Sequence, residues 1–508
     1  MADKIIHSFQ QRRQLSQEIA DLAQTENEIE LLERVRRLVR DHPVDQLVAM
    51  VIKNLDTPNG QLRGGLGHLA ALLPPDEITP ALRSAAANRS NTAQMRVTAA
   101  LILERFLGET LSPAILNDLS QTNEVAFQSL REAVEEGARN RHILLEYNNQ
   151  MHQTNEQIAL MVLDLLGRLE PDQRVDFYRL LAQDEWPVVA RAALPKLERL
   201  AAENALALRA LHTLQFMLPP NEAEQVTRTL RKLQFTGHHY TPPTPEGWRA
   251  LMSPADIGGS YSIWFVHPAT GNQVNGVLLG LVINHRLGIL QTFGSELLPA
   301  DQLPSLHPVG QLATVRTDNG QTAVLLEVPF DVGRWLVNQA QAAHWTAEPL
   351  RPLPGEYRLY ADRLWEFAAP QVDPEIAAYF EDDDAPLPPL EELEQVVTEL
   401  LAHPALDGWS FNNRLLLQSL GAVGSSLAKL PVQEVAAVML RELAQRPEYT
   451  QLLAALTAAL RAQAIWLHMA GNVESARRAH LLARTMSQLP PTQNPLLLRL
   501  LEAGLRPT

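Results

Sequence analysis

QTNEVAF, residues Gln121 to Phe127, is echoed 32 residues later by QTNEQIAL, Gln153 to Leu160. The echo extends to a ladder. Thirty-two residues before Asn123 stands Asn91, and 32 before that stands Asn59, so Asn59, Asn91, Asn123 and Asn155 are evenly spaced. Each is preceded by a residue that favours turns or helix starts: Pro58, Ser90, Thr122 and Thr154. Asparagine is a strong N-cap because its short side chain accepts from a first-turn N–H that has no partner within the helix. A helix is therefore expected after each Asn, and the Glu of QTNE sits where the positive end of the helix dipole favours it.

The residues after each Asn have the spacing of such a helix. Seven residues on are Leu66, Thr98, Leu130 and Val162; ten on are Leu69, Leu101, Ala133 and Leu165; eleven on are Ala70, Ile102, Val134 and Leu166. Offsets of 7, 10 and 11 share one helical face, so each unit carries its apolar stripe in the same place. A fifth unit is offset slightly, with Asp184-Glu185-Trp186-Pro187 ahead of VVARAALPKLERLA. Proline in a first turn is tolerated because its missing N–H had no partner there. Thr79-Pro80-Ala81-Leu82 and Ser112-Pro113-Ala114-Ile115 read as a cap plus first-turn proline of a second helix in the unit, and Pro171-Asp172 opens another. A two-helix unit of about 32 residues, repeated, predicts an α-solenoid.

NGQLRGGLGHLAALL, NTAQMRVTAALILERFLG and WPVVARAALPKLERL resemble second helices of HEAT repeats, with Arg63, Arg96 and Arg191 near the basic position common early in those helices. The resemblance covers roughly residues 40–235 and implies an ARM-type α-solenoid, a curved scaffold for protein–protein contact. VAFQSLREAVEEG departs from the pattern by lacking the early arginine. Positions just off the stripe (Arg63, Met95, Phe127, Ala159; His68, Ala100, Glu132, Asp164) form no charge or aromatic ladder, so no repeat face is singled out. Residues 1–40 read as a capping helix region. Its Arg34, Arg36, Arg37 and Arg40 make a basic patch, read chiefly as a solvated helix with Glu–Arg pairs at helical spacing.

The helical period stops near residue 236, and HHYTPPTPEGW is a proline-rich linker. SYSIWFVHP, a turn in ATGNQ and VNGVLLGLVI read as a β-hairpin; NHRLG turns into ILQTFGS, and QTAVLLEVPF comes after the Asp318-Asn319-Gly320 turn. DVGRWLVNQAQAAHW is an amphipathic helix expected to be capped by Asp331, and EYRLYADRLWEF a further helix. Residues 240–370 are thus a small α+β domain. Residues 371–390, with Glu381-Asp382-Asp383-Asp384, are an acidic, proline-rich linker without the ligand alternation of a calcium hand. Residues 391–508 are helical again. AIWLHMAGNVESARRAHLLARTM resembles one tetratricopeptide-type hairpin, with Gly471 at its turn and Ala476, Ala479 and Ala483 allowing close packing. The fold expected is mainly α: an N-terminal α-solenoid, a central α+β domain and a C-terminal helical domain.

Composition narrows the function. A chain of 508 residues exceeds one hydrophobic core, and 46% hydrophobic with 20% charged residues is that of a folded protein. The net charge of −15 argues against a general nucleic-acid binder and suits a basic partner. No cysteine means no disulfide, thiol nucleophile, iron–sulfur cluster or thiolate zinc site. Only five of the 43 basic residues are lysines, a bias that either a hot habitat or a GC-rich genome produces. MADKIIHSFQQRRQ lacks the apolar core of a secretory signal, and no run approaches the ~20 apolar residues of a membrane helix, so a cytoplasmic protein without membrane insertion is expected.

Chemistry, if any, belongs in residues 240–370. His267 and His285 stand at strand ends beside turns, with Tyr261, Glu296, His307 and Asp318 nearby in sequence. HExxH, GxSxG, the Walker loop and GxGxxG are absent. Gly258-Gly259 and Asn275-Gly276 are turn pairs, and His238-His239 lacks ligands at metal spacing. Trp248, Trp264, Trp335, Trp345 and Trp365 suit core and interface anchors. No residue is assigned as catalytic, cofactor-binding or metal-binding, and no cofactor is implied. The expectation is a non-enzymatic scaffold or adaptor for a protein partner. The alternative is an enzyme or small-ligand binder in the central domain, which requires the two histidines to converge with Glu296 or Asp318.

Overall fold

The computed structural model describes residues 14–25, 28–57, 59–88, 90–109, 122–268, 275–305, 307–316, 322–347, 350–381, 385–411 and 431–505. These fall into two compact units, residues 1–174 and 175–508, so the division lies inside the stretch 41–235. The protein is mainly helical, with one six-stranded antiparallel sheet in its middle. The Ser112-Pro113 start, the ATGNQ turn, the Asp318-Asn319-Gly320 turn, Asp382 to Asp384 and the segment NNRLLLQSLGAVGSSLAKL lie outside the described residues.

In the first unit, helices α1 (Glu28–Asp41), α2 (Val44–Asn54), α3 (Gly60–Leu72), α4 (Pro75–Ala87), α5 (Ala93–Leu101), α6 (Thr122–Gly137), α7 (His142–His152) and α8 (Glu156–Leu165) succeed one another. Asn59 and Asn155 cap α3 and α8, their side chains accepting from Leu62 N at 2.9 Å and Ile158 N at 3.1 Å. At the second rung the cap is one residue later: Thr92 Oγ1 accepts from Met95 N at 3.1 Å, while Asn91 Nδ2 donates to Ala85 O at 3.0 Å. The proline starts also shift. α4 begins at Pro75, which leaves Pro80 inside it rather than in the first turn expected from Thr79-Pro80. Leu66, Leu69, Ala70, Leu82, Ala86, Ala99 and Leu103 join Leu22, Val35, Leu47 and Val51 in one core. Gly67 is small for a reason: a Cβ there would lie 2.4 Å from the Phe106 ring. Off the stripe, Arg63 and Glu132 form a partly buried ion pair that Gln128 supports by donating to Glu132 at 2.7 Å. In the Arg34 to Arg40 patch, Arg34 pairs with Glu30 at 2.6 Å and Arg40 with Asp41 at 3.1 Å.

The second unit opens with the remainder of α9 (Pro171–Leu181), then α10 (Pro187–Leu200), α11 (Ala205–Leu214) and α12 (Pro220–Phe235). Pro187 takes the first turn of α10 as expected. Strands β1 (Arg249–Met252), β2 (Ser260–His267), β3 (Asn275–Asn284), β4 (Gly288–Pro299), β5 (Leu312–Arg316) and β6 (Thr322–Val328) form the sheet in the order β4-β3-β2-β1-β6-β5. Its register sets Trp264 opposite Gly280 and Gly280 opposite Phe293, whose ring fills the space a Cβ at 280 would need. Helix α13 (Phe330–Thr346) crosses one face, with Gly333 letting it settle onto Ala250 and Phe265. Asp331 does not cap α13. Pro329 holds the cap position, and Asp331 instead accepts from Arg334 at 2.9 Å and from Gln371 N at 3.1 Å. EYRLYADRLWEF folds as two short helices, α14 (Gly355–Tyr360) and α15 (Asp362–Trp365), broken at Ala361.

Buried polar groups tie α9 to α11 onto this centre. Arg179 donates to the carbonyls of Arg358 and Leu359, each at 2.7 Å, and Arg358 donates back to Gln183 O at 3.0 Å. Trp365 Nε1 donates to Tyr357 Oη at 3.0 Å, which donates to Gln341 at 2.8 Å, which donates to Phe216 O at 2.8 Å. Each member of that chain is satisfied, as a buried polar network must be. His344 is fixed similarly: its Nε2 accepts from Ile289 N at 2.8 Å, so its Nδ1 proton donates to Arg351 O at 3.2 Å.

Helices α16 (Leu390–Leu401), α17 (Val432–Ala444), α18 (Glu448–Met469), α19 (Val473–Gln488) and α20 (Pro495–Leu505) complete the unit. α18 and α19 form a tight hairpin through Gly471, whose φ of +80° suits glycine, and Ala476, Ala479 and Ala483 are buried along the contact. Trp466 Nε1 donates to Met252 O at 3.1 Å, anchoring α18 to β1, and Trp409 Nε1, beyond the end of α16, donates to Ala255 O between β1 and β2 at 3.1 Å. Among the described residues, α18 alone is long and apolar enough to cross a membrane, and half of its apolar window is buried within the unit.

Candidate functional site

The antiparallel register decides which sequence candidates meet. Tyr261 lies opposite Ile283, so His285, just past the end of β3, comes beside it. Tyr261 Oη and His285 Nε2 are 2.5 Å apart. Burial pushes the His285 imidazolium down to a pKa of about 3 and the Tyr261 phenol well above its ordinary value. Both groups are therefore neutral across the physiological range, too poor a base and too poor an acid for efficient proton transfer near neutrality. His285 Nδ1 is shielded from solvent and has no hydrogen-bond partner among the described residues. Whichever tautomer holds, one polar hydrogen of the pair has no protein acceptor there.

The other candidates stand elsewhere. His267 is at the opposite end of β2, where its Nε2–H donates to Glu246 O at 3.2 Å and its ring packs on Trp248 at 5.1 Å. Glu296 on β4 accepts from Arg363 at 2.7 Å. His307 is near Glu327, which is buried beside Arg249 at 3.3 Å and whose carboxyl pKa burial raises against the opposing pull of that guanidinium. Asp318 lies outside the described residues. The two histidines do not converge with Glu296. No group of three or more metal-ligating side chains occurs among the described residues, and His238 and His239 are both exposed in the linker. The tryptophans sit in packed surroundings: Trp365 is fully buried, and Trp335 meets Phe380 edge-on at 5.3 Å.

His285 also borders a cavity of about 770 Å³. The β3–β4 turn supplies His285 and Arg286, α13 supplies Gln339, and a single 3₁₀ turn (Ala378–Phe380) supplies Phe380. One face of α18 (Thr450, Ala454, Thr457, Arg461) and the end of α19 (Arg484, Met486) close it. The α18 positions recur at helical spacing and are small or polar in an otherwise apolar helix, which is the one sequence signal that points to this wall. The arginines are not legible as a group in the sequence, because 286, 461 and 484 are far apart in the chain. Each is oriented by a main-chain carbonyl: Arg286 donates to Gln451 O, Arg461 to Phe380 O at 3.2 Å, and Arg484 to Ala385 O. Phe380 meets the His285 ring edge-on at 4.5 Å. The described residues bordering the cavity include no Asp or Glu.

No family model, characterised protein or solved structure matches this chain.

Proposed function

We infer that the chain is a non-enzymatic cytoplasmic scaffold or adaptor that presents a HEAT-like α-solenoid surface, over about residues 40–235, to a protein partner. One observation supports this above others. At offsets 7, 10 and 11 from Asn59, Asn91, Asn123 and Asn155, eleven of the twelve side chains are buried and the twelfth, Leu101, is half-buried. Helices that bury the same stripe at a fixed interval leave the intervening faces available for contact, which is how stacked repeats bind. The separation of His267, His285 and Glu296 supports the same reading, since it removes the convergence that a catalytic centre in the central domain required.

Affinity capture from native extract with the full chain as bait, followed by chemical cross-linking, tests this reading. Specific protein partners cross-linked to residues 40–235 are expected. Recovery of no specific partner under mild conditions, or cross-links confined to residues 240–508, overturns it. A second reading, a small-ligand-binding protein, is favoured by the cavity beside His285, whose walls combine central and C-terminal residues.

A further inference from the structure

Helix α12 ends on an apolar side chain with almost no shelter: Phe235 is 92% exposed, well beyond any other large apolar residue among those described. Single exposed apolar residues are ordinary on protein surfaces, so Phe235 alone marks nothing. Its setting on the helix is what selects a partner. Arg228, Arg231 and Lys232 precede it by seven, four and three residues, so all four side chains share one outward face of α12, and all four are exposed. Arg228 is paired with Glu224 at 2.5 Å, one turn back. Arg231 and Lys232 have no carboxylate partner among the described residues. Copies of a chain with net charge −15 repel one another over most of their surfaces. A contact between them needs a local reversal of sign, which this face supplies.

The complement lies at the start of α16. Leu390 is 45% exposed, and Glu391 and Glu394 follow it at one and four residues on the same outward face. Both carboxylates are exposed and have no cationic partner among the described residues, whereas Glu399, further along α16, pairs with Arg478 at 2.6 Å. α12 packs on α11, and α16 on α19 and α20, so the two exposed faces lie on different parts of the unit 175–508 and do not meet within one chain. Each face carries one apolar side chain beside two unpaired charges at helical spacing, with opposite sign. Helices crossing through such faces bury the apolar pair centrally and leave the charges at the rim, where they set partner and orientation more than affinity.

We propose that the chain self-associates head to tail, α12 of one copy laying Phe235 against Leu390 of a second copy while Arg231 and Lys232 meet Glu391 and Glu394 of that copy. Because two different patches meet, the contact does not close as a twofold dimer and extends into rings or open chains.

Sedimentation velocity on the purified full chain, from about 2 to about 200 µM, tests this. A contact this small is weak, so the mean sedimentation coefficient should rise only toward the upper concentrations. Phe235→Asp should move that rise at least about tenfold higher in concentration, as loss of a central apolar anchor implies. Arg231→Glu/Lys232→Glu and Glu391→Lys/Glu394→Lys should each stay monomeric, since like charges then face one another. An equimolar mixture of these two chains should associate again, because each reversed face then finds the opposite sign on its neighbour. All of these positions are exposed, and an unchanged thermal midpoint checks that each variant is folded. A wild-type chain still monomeric at about 200 µM, association that persists in either reversed chain, or a mixture that fails to restore it overturns the proposal. So does Phe235-dependent binding of the monomeric chain to phosphatidylserine vesicles, which makes a membrane surface the occupant. Capture of other proteins is a separate readout, so failure here leaves the adaptor reading intact.

Discussion

Residues 1–174 and 175–508 both pack helices, but by different chemistry. In the first unit the contacts are stripes of Leu, Ile and Ala at helical spacing, with partly buried pairs such as Arg63–Glu132 and Arg34–Glu30 beside them. In the second, the fully buried side chains of Arg179, Arg334 and Arg358 lie where a hydrophobic residue would ordinarily be. Arg334 is held under Phe330, Trp365 and Phe367, 5.2 to 5.7 Å from their ring centres, and donates to Asp331 and to Ala368 O. An apolar stripe tolerates slippage, because methyl groups make non-directional contacts. A buried guanidinium does not, because losing one acceptor leaves a desolvated charge. The second unit is therefore tied to its sheet by directional contacts, and it is also the unit with the cavity.

The largest expected effect comes from that difference. Arg179→Ala removes the 2.7 Å donors to the carbonyls of Arg358 and Leu359 and a cation 3.8 Å from buried Asp362. Breaking such a network costs about 3–5 kcal/mol. All eight tryptophans lie in residues 175–508, so urea unfolding followed by tryptophan fluorescence reports on this unit alone. A shift of the fluorescence midpoint worth under about 1 kcal/mol would show that the guanidinium is dispensable and dissolve the contrast.

Leu66→Ala is the matching change in the first unit. It empties a fully buried position and is expected to cost about 2–4 kcal/mol. Here far-ultraviolet circular dichroism should lose an early fraction of its helical signal while the tryptophan midpoint stays put. If both probes shift together, the two units unfold as one and the comparison must be recast as one cooperative structure.

How much of this can be read from the chain obeys the same division. The stripe after each Asn, the hairpin through Gly471, strands β2 and β3 and the first-turn Pro187 are legible because their cause is local: a period, a glycine or a missing N–H. β1 escapes notice because RALM is too short to show alternation; LATVR, which forms β5, is scarcely longer. Asp331 misleads because an acidic residue at a helix start resembles a cap, whereas Pro329 takes that position and Arg334 claims the carboxylate. For the site, His285 beside Tyr261 is half-legible from the hairpin. Arg286, Arg461 and Arg484 are not, since only the tertiary fold brings together residues so far apart in sequence.

A third expectation concerns pH and acts within the second unit. His285 has its folded pKa depressed to about 3, while the unfolded chain protonates near the ordinary histidine value. Between those values the unfolded state binds the extra proton, so the stability contribution is present at neutral pH and is lost as pH falls from about 6.5 toward 3. Burial also lowers the pKa values of His212 and His344, and their contribution has the same sign. His285→Phe removes one of the three. Tryptophan-monitored urea titrations at pH 7 and pH 4.5 should show the wild type losing more stability on acidification than the variant, by of the order of 2 kcal/mol. Parallel losses in the two proteins would mean that His285 takes up its proton without disturbing the fold.

The smallest effects bear on the ladder of asparagines. A cap is worth about 1 kcal/mol, and its loss should register wherever the side chain accepts from the first turn. Asn155→Ala removes the bond from Ile158 N, and Thr92→Ala removes the bond from Met95 N, so each should cost about that much in the dichroism-monitored transition. Asn91→Ala is the discriminating case. Its side chain donates to Ala85 O rather than capping α5, and one partly exposed hydrogen bond is worth roughly 0.5–1 kcal/mol. If Asn91→Ala costs as much as Asn155→Ala while Thr92→Ala is silent, the cap sits on the asparagine and all the rungs are equivalent. The reverse order means the second rung has handed its cap to the next residue; with the helices starting at Gly60, Ala93, Thr122 and Glu156, and Asn123 therefore inside its helix rather than ahead of it, the even spacing of asparagines marks the neighbourhood of each helix start and not its first residue.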